Sequence, residues 1–322
     1  MRRILVTGAT GFVGGFLCEA LTRSGFLVRA ALHVDRPLPE YVTEGVVIGD
    51  IVESTDWTRS LDGVDAVVHL AAKAHFVGGW SVSSDEYHVT NALGTKGLIR
   101  SAVMAGVRRF IYLSSVKVNG EGLADRPYTA LDAPRPQDAY AMSKWMGERF
   151  VMEVATGSAP DRIIVRSPLV YGPGVRANFL RLIRWVEAGW PIPLGAVHNL
   201  RSMIGVWNLA HLLLHVLSHS AAAGKTWMAS DGLDLSTPQL MAQIGAAMGR
   251  RVRLVSVPVG LLRLGGDLFG RDQEIARLCS SLTVDISETC QQLGWSPPLS
   301  VDEGIQRTVR WYMSKGRASG SL

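Results

Sequence analysis

The run Arg3-Ile4-Leu5-Val6-Thr7-Gly8-Ala9-Thr10-Gly11-Phe12-Val13-Gly14 constrains what this chain can fold into more than any other segment. A short apolar strand runs into glycines at intervals of three, and an amphipathic stretch from Phe16 to Arg23 follows, ended by Gly25. Strand, tight turn and helix in that order open a βαβ unit. Glycines at such a turn let backbone N–H groups approach a pyrophosphate, which then rests on the positive end of the helix. The same glycines also suit a purely structural turn, so a second feature must decide.

The rest of the first half repeats the opening alternation. Strands are expected at 3–7, 27–32, 46–48, 65–70, 108–113 and 162–166, and helices at 12–23, 55–61, 91–106, 138–156 and 175–188. Alternation of this kind predicts an α/β protein with a doubly wound parallel sheet of Rossmann type. Pro134 and Pro136 make an irregular loop before the 138–156 helix, and Asp138 is placed to cap that helix. Beyond about residue 170 the alternation weakens. We therefore divide the chain into a dinucleotide-binding domain over 1–170, a smaller, mostly C-terminal lobe over 171–315 with segments returning to the first domain, and a tail over 316–322.

The second feature is Tyr140-Ala-Met-Ser-Lys144, which comes with the serine pair Ser114-Ser115. A tyrosine and a lysine four residues apart on a helix point to the same side. An unperturbed phenol titrates near ~10, and a neighbouring cation lowers that value. Tyr140 can then exchange a proton with an alcohol or ketone, with Ser115 bonded to the same oxygen. Alone, this spacing is found on many amphipathic helices. Joined to the glycine turn, it reads as hydride chemistry at an alcohol carbon.

Composition narrows the class further. With 47% hydrophobic residues in 322, the chain can bury a large core. The longest apolar stretch, Leu209 to Leu217, is broken by His211 and His215 and is too short to cross a bilayer. No signal peptide is read at the start, and Cys18, Cys279 and Cys290 have no metal spacing, so a cytoplasmic, metal-free protein with reduced thiols is expected. The formal charge of +5 suits an anionic small molecule, and no basic run marks a nucleic-acid groove.

In these motifs and their order the chain resembles the extended short-chain dehydrogenases/reductases, of the nucleotide-sugar epimerase/dehydratase family. Gly8, Thr10, Gly11, Phe12, Val13 and Gly14 fall on its cofactor loop. Asp50-Ile51 lies where the family contacts the adenine, and Leu70, Ala71 and Ala72 match the turn beside the pyrophosphate and nicotinamide ribose. Asn91 matches a family asparagine. Ser115, Tyr140 and Lys144 match the catalytic trio, with Ser114 beside it and Pro168 in the segment that passes the nicotinamide. Leu293-Gly294-Trp295 and Gly304-Ile305 with Trp311 resemble the closing motif. The resemblance implies NAD or NADP as cofactor and a nucleotide-sugar substrate. It also implies a homodimer formed through the helices at 91–106 and 138–156, where Trp145, Phe150 and Met152 supply apolar surface.

An acid at the end of the second strand would favour NAD. Its expected position is Leu32, with Asp35 beyond, while His33 stands where NADP-using relatives often carry arginine. That tilts the reading toward NADP and leaves both cofactors open. Dehydratases of the family carry an acid and a base directly after the catalytic hydroxyl residue, and here Val116 and Lys117 follow Ser115, against dehydration. The run Ser114 to Glu121 resembles a bacterial polysaccharide subgroup that reduces C4 of UDP-linked 4-keto-6-deoxy-N-acetylhexosamines, as in making UDP-N-acetylquinovosamine. Arg201, in Leu200-Arg201-Ser202-Met203, falls where the family binds the diphosphate, and Asn178 near the nucleotide. A surface ion pair is the less favoured reading of Arg201, and Asn178 reads equally as a turn-making amide. Trp207 departs from the aspartate frequent in relatives. Lys73 and Lys117 are further candidates for substrate contact, with His75 beside the former. Reduction at C4 is the favoured reading, 4-epimerisation like that of UDP-glucose 4-epimerases the alternative, and a non-catalytic dinucleotide sensor a distant third.

Overall fold

The computed structural model describes residues 2–74, 83–122, 126–154, 160–268, 270 and 272–319. The first part of the chain builds strands β1 (Arg3–Thr7), β2 (Leu27–Leu32), β3 (Glu44–Val47), β4 (Ala66–His69), β5 (Arg109–Ser115) and β6 (Asp161–Ser167). Between them lie helices α1 (Phe12–Arg23), α2 (Thr58–Leu61), α3 (Ser84–Tyr87), α4 (Gly94–Met104) and α5 (Ala139–Glu153), with a π-helical stretch at His88–Leu93. The remainder adds β7 (Leu169–Tyr171), β8 (Met203–Gly205) and β9 (Lys225–Met228). Its helices are α6 (Ala177–Ala188), α7 (Val206–Ser218), α8 (Thr237–Ala247), α9 (Val259–Leu268), α10 (Asp272–Cys279), α11 (Ser287–Leu293) and α12 (Val301–Ser319).

Seven strands pair in the order β3-β2-β1-β4-β5-β6-β9, all parallel. The order reverses beside β1, so its carboxyl end and that of β4 open a crevice between them, the usual ligand position in such sheets. Both faces of the sheet are buried, and side chains alternate between two layers as the two-residue strand period requires. Ile4, Val6, Val68, Ile111 and Val165 join one core with Leu17, Leu21 and Leu213. Leu5, Val67, Phe110, Tyr112 and Ile164 join the other with Leu98, Ile99 and Val151.

A separate core forms the lobe. Phe179, Ile183 and Val186 of α6 pack with Met241 and Ile244 of α8 and with Val301, Ile305 and Val309 of α12. The lobe's own strands, β7 and β8, pair in parallel with each other and stay outside the large sheet. β9 returns to that sheet beside β6.

Several boundaries differ from those read in the sequence. The helix expected at 55–61 forms only over α2, whose start is fixed when Thr58 N–H donates to Asp56. The helix expected over 91–106 begins earlier, at a capping box between Ser83 and Glu86, and passes through the π-helical stretch before α4. Asp138 does cap α5, accepting from Ala141 N–H at 2.6 Å. The tail expected from 316 is helical as far as Ser319, because α12 continues past the face that buries Val301, Ile305 and Val309. Residues 320–322 lie outside the described residues, as does His75.

Candidate functional site

Three carboxyl ends of the sheet converge on the site. At β1, Gly8 takes φ +70°, a conformation that suits glycine. A Cβ on Gly8 would stand 2.9 Å from Ala71 N, and one on Gly14 would stand 2.1 Å from the Gly8 carbonyl oxygen. The glycines thus hold the turn tight against the β4 end and keep side chains out of the crevice. α1 starts at Gly11 with no side chain capping it, so its first N–H groups are left for an anion. This donor set fits the pyrophosphate of a dinucleotide. The side chains point elsewhere: Val13 packs on the sheet core, while Phe12 reaches the lobe core beside Gly172 and Gly174. Thr10 is exposed.

Behind the turn a buried chain of hydrogen bonds ties the strand ends together. Ala71 N–H donates to the Thr7 hydroxyl at 3.1 Å, and that hydroxyl meets His69 Nδ1 at 2.6 Å. On the other side His69 Nε2 meets the Thr95 hydroxyl at 3.0 Å, whose own proton goes to the Asn91 carbonyl at 2.7 Å. With that proton committed, Nε2 is the donor and Nδ1 accepts from Thr7. Burial holds the imidazole neutral, its pKa pushed down to about 3. Asn91 accepts from Lys73 N–H at 2.8 Å and donates both to the Lys73 carbonyl and to Ser143 on α5. Asn91 therefore clamps the loop after Ala72 to the tyrosine helix.

Ser115 ends β5, and Tyr140 and Lys144 lie one turn apart on α5. Ser115's hydroxyl hydrogen-bonds Tyr140 and pulls its pKa down, but burial and the nearby Asp138 carboxylate outweigh that and push it up to about 12. The expected lowering of the phenol by Lys144 is not seen. Burial instead pushes Lys144 down to about 7, opposed by Glu148 one turn further along. Lys144 is buried and Tyr140 half-buried, and removal from water favours the neutral form of each. The Lys144 ammonium sits 4.2 Å from the centre of the Tyr112 ring, which stacks in turn on His69 at 5.6 Å. Glu148 is itself held by Arg166 through two hydrogen bonds of 2.9 and 2.6 Å, with both side chains about 95% buried. Arg166 also donates to Asn119 at 3.1 Å.

Tyr112, His69, Glu148 and Arg166 were not read as site residues. Tyr112 carries a recognisable signal, since it shares the strand face of Ser114 and that face looks onto α5. Of the other candidates, Lys73 pairs with Glu86. Lys117 pairs with Asp138 at 2.7 Å and with Glu121. Ser114 is buried with its hydroxyl unpartnered among the described residues. Pro168 is buried in the link from β6 to β7, Asn178 is exposed at the start of α6, and Ile51 packs against Gly94 of α4. At the far edge, Leu32 is 4% exposed and cannot serve as a polar contact, while His33 Nδ1 lies 3.5 Å from Asp50.

Arg201 is not a surface ion pair. It donates to the Arg277 carbonyl at 2.7 Å and to the carbonyl and hydroxyl of Ser280. Burial pulls its pKa down, against the opposing pull of Glu121, which also pairs with Lys117. Trp207 packs edge-on to Phe16, with Arg307 over its ring. Among the described residues no group of histidine, cysteine and carboxylate side chains could hold a metal ion, and no helix is long and apolar enough to cross a membrane.

The family model described as NAD dependent epimerase/dehydratase family matches residues 4–229. The chain is 37% identical over 317 residues to a UDP-glucose 4-epimerase of Vibrio cholerae, covering 97% of this chain and 96% of that one. It is 26% identical to the N-acetyl-alpha-D-glucosaminyl-diphospho-ditrans,octacis-undecaprenol 4-epimerase of Escherichia coli O157:H7, over 96% of this chain and 94% of that one. Among solved structures, MoeE5 in complex with UDP-glucose and NAD superposes with a TM-score of 0.79 at 28% identity, over 97% of this chain and 99% of that one. The glycine turn, the crevice beside β1 and the serine–tyrosine–lysine trio thus stand in a chain that belongs to the NAD dependent epimerase/dehydratase family.

Proposed function

We propose that this protein transfers hydride at C4 of a UDP-linked sugar, reducing a 4-keto-6-deoxy-N-acetylhexosamine. The observation that carries this reading is the hydrogen bond of Ser115, at the end of β5, to Tyr140, with Lys144 one turn further along α5. Bound NAD(P) supplies the hydride donor or acceptor. The Gly8–Gly14 turn, Asp50-Ile51, Leu70–Ala72, Lys144 and Pro168 are the residues that would hold it, and MoeE5 carries NAD in its complex.

The chain's own groups then do the proton work. Tyr140, protonated at neutral pH, donates its phenolic proton to the oxygen on C4. Ser115 donates a hydrogen bond to the same oxygen as charge develops there. Lys144, poised near neutrality, supplies positive charge beside the phenol when protonated. Arg201 anchors the diphosphate from the lobe, its fork suited to bidentate contact. Fixing the sugar at one end makes the transfer effectively intramolecular. Val116 and Lys117 offer no acid–base pair after Ser115, against water elimination.

A second reading, 4-epimerisation, is supported by the 37% identical relative named UDP-glucose 4-epimerase. The same trio would serve it, Tyr140 taking the proton of the C4 hydroxyl and returning it after the keto sugar has rotated, while bound NAD(P) would supply the hydride acceptor and donor. Asn119, part of the run that resembles the reductases, is occupied by Arg166 and the Thr129 carbonyl, so its identity argues for neither. Incubation with NADH or NADPH and a UDP-4-keto-6-deoxy-N-acetylhexosamine separates the two. Stoichiometric cofactor oxidation supports reduction. Interconversion of UDP-hexoses without net cofactor consumption supports epimerisation, and neither activity would overturn both. The three cysteines form no disulfide, in keeping with a cytoplasmic setting, and a homodimer through α4 and α5 completes the reading.

A further inference from the structure

α9 has two apolar sides. Val259 and Leu262 pack on the lobe core, with Gly266 buried below them. On the other side Leu261, Leu264 and Leu268 are 60, 66 and 80% exposed. Positions spaced by three and four residues lie along one helix face, so these leucines form a stripe turned away from the protein. The segment leading into α9 continues the surface. Arg253 and Val255 pair with Ile192 through backbone hydrogen bonds of 2.8 and 2.9 Å, which places Trp190, 76% exposed, at the same edge. Single exposed leucines are ordinary on a protein surface, but an aligned stripe beside an exposed tryptophan is not.

Charge decides what such a stripe would meet. From Leu235 to Leu268 the chain has Arg250, Arg251, Arg253 and Arg263 against a single carboxylate, Asp267. Arg250 reaches the Glu187 carbonyl, while Arg251 and Arg253 are exposed and take part in none of the ion pairs among the described residues. Over 176–279, eleven Lys and Arg stand against six Asp and Glu, a net of +5 equal to that of the whole chain. A second copy of this surface would bring like charges together. An anionic bilayer would not, and a short helix with leucines outward and arginines alongside suits the headgroup boundary.

We infer that the outward face of α9, with Trp190 and the Arg251–Arg253 stretch, is a peripheral contact for an anionic lipid surface. The helix lies in the interface plane, its leucines among the acyl chains and its arginines at the headgroups. This contact is separate from the trio, so it stands whichever C4 reaction the protein performs.

The test is cosedimentation of the full chain with phosphatidylcholine vesicles, with and without phosphatidylglycerol. Binding is expected only with the anionic lipid, falling as salt is raised. The triple variant Leu261→Gln, Leu264→Gln, Leu268→Gln should bind about ten-fold more weakly or worse, with its melting temperature and its turnover of a soluble nucleotide sugar unchanged. Arg251→Gln with Arg253→Gln should weaken binding and flatten the salt dependence. Absence of binding to anionic vesicles, or equal binding by the triple variant, overturns the inference. So does loss of a dimer in the triple variant, measured by light scattering, since the stripe would then be covered by a second copy.

Discussion

The chain divides into a part that reacts and a part that holds, and their electrostatics differ. Outside 176–279, the sheet half and the closing segments carry twenty-two basic and twenty-two acidic residues, so their net charge is zero. There the polar groups near the trio are closed on one another: His69 between two threonines, Asn91 on Lys73, Arg166 on Glu148. Residues 176–279 carry the whole surplus of +5, with Arg201 turned inward on the Arg277 and Ser280 carbonyls and the Ser280 hydroxyl. Rate should therefore depend on groups closed on one another in one half, and binding on cations in the other.

The largest effect that tests this division is at Tyr140. Tyr140→Phe keeps the ring and its edge contact with Tyr87 but removes the proton. Turnover should fall by about 10²–10⁴ with KM little changed, measured under steady-state conditions. A KM effect of comparable size would mean that the reacting half also does the holding.

Next comes the Arg166–Glu148 pair. Glu148→Leu leaves a buried guanidinium uncompensated and should cost about 3–5 kcal/mol in urea unfolding. Arg166→Met added to it should recover much of that loss, because both charges are then gone. If the single variant is as stable as the parent, the account of a self-closed sheet half is wrong.

A smaller change is expected at Arg201. Removing one charge-assisted contact to a diphosphate is worth roughly 1.5–3 kcal/mol. Arg201→Gln should therefore raise KM about ten- to a hundred-fold and leave turnover within a few-fold. Loss of turnover at unchanged KM would break the comparison.

The smallest effect is a shift in pH dependence. A desolvated cation over an aromatic face gains roughly 2 kcal/mol, somewhat more than one pKa unit. Tyr112→Leu should move the alkaline limb of turnover, where Lys144 loses its proton, about one unit lower, while Tyr112→Phe leaves it in place. The cofactor-free protein offers a check independent of activity. Lys144 is lowered from 10.5 to about 7 on folding, so across that window the unfolded chain binds the extra proton. Stability should accordingly rise with pH from about 7 toward 10, by at most about 1.4 kcal/mol per unit, and Lys144→Met should abolish the slope. Tyr140, raised from 10.0 to about 12, works in the opposite direction and only above that window.

How far the sequence could be read follows the same division. β1, β2, β4, β5 and β6 were legible because each is an apolar run closed by turn residues, buried on both faces. β7, β8 and β9 escaped because they lie beyond residue 168, where proline and glycine interrupt the alternation that made the similarly short β4 legible. The trio and the glycine turn were legible because their chemistry is local, four residues on one helix or three between glycines. Tyr112 and Glu148 were not, since their place beside Lys144 depends on how β5 and β6 lie against α5. Lys73 and Lys117 looked like substrate contacts because nothing nearby in sequence foretells Glu86 and Asp138 as partners.

The most direct test of the central claim is to follow the hydrogen itself. The protein is incubated with a UDP-linked 4-keto sugar and NADH or NADPH deuterated at the transferring position, and the product is examined by proton NMR. The account predicts deuterium on C4 with the parent protein and almost none with Tyr140→Phe. Deuterium on another carbon, or incorporation that survives the loss of the phenol, would contradict it.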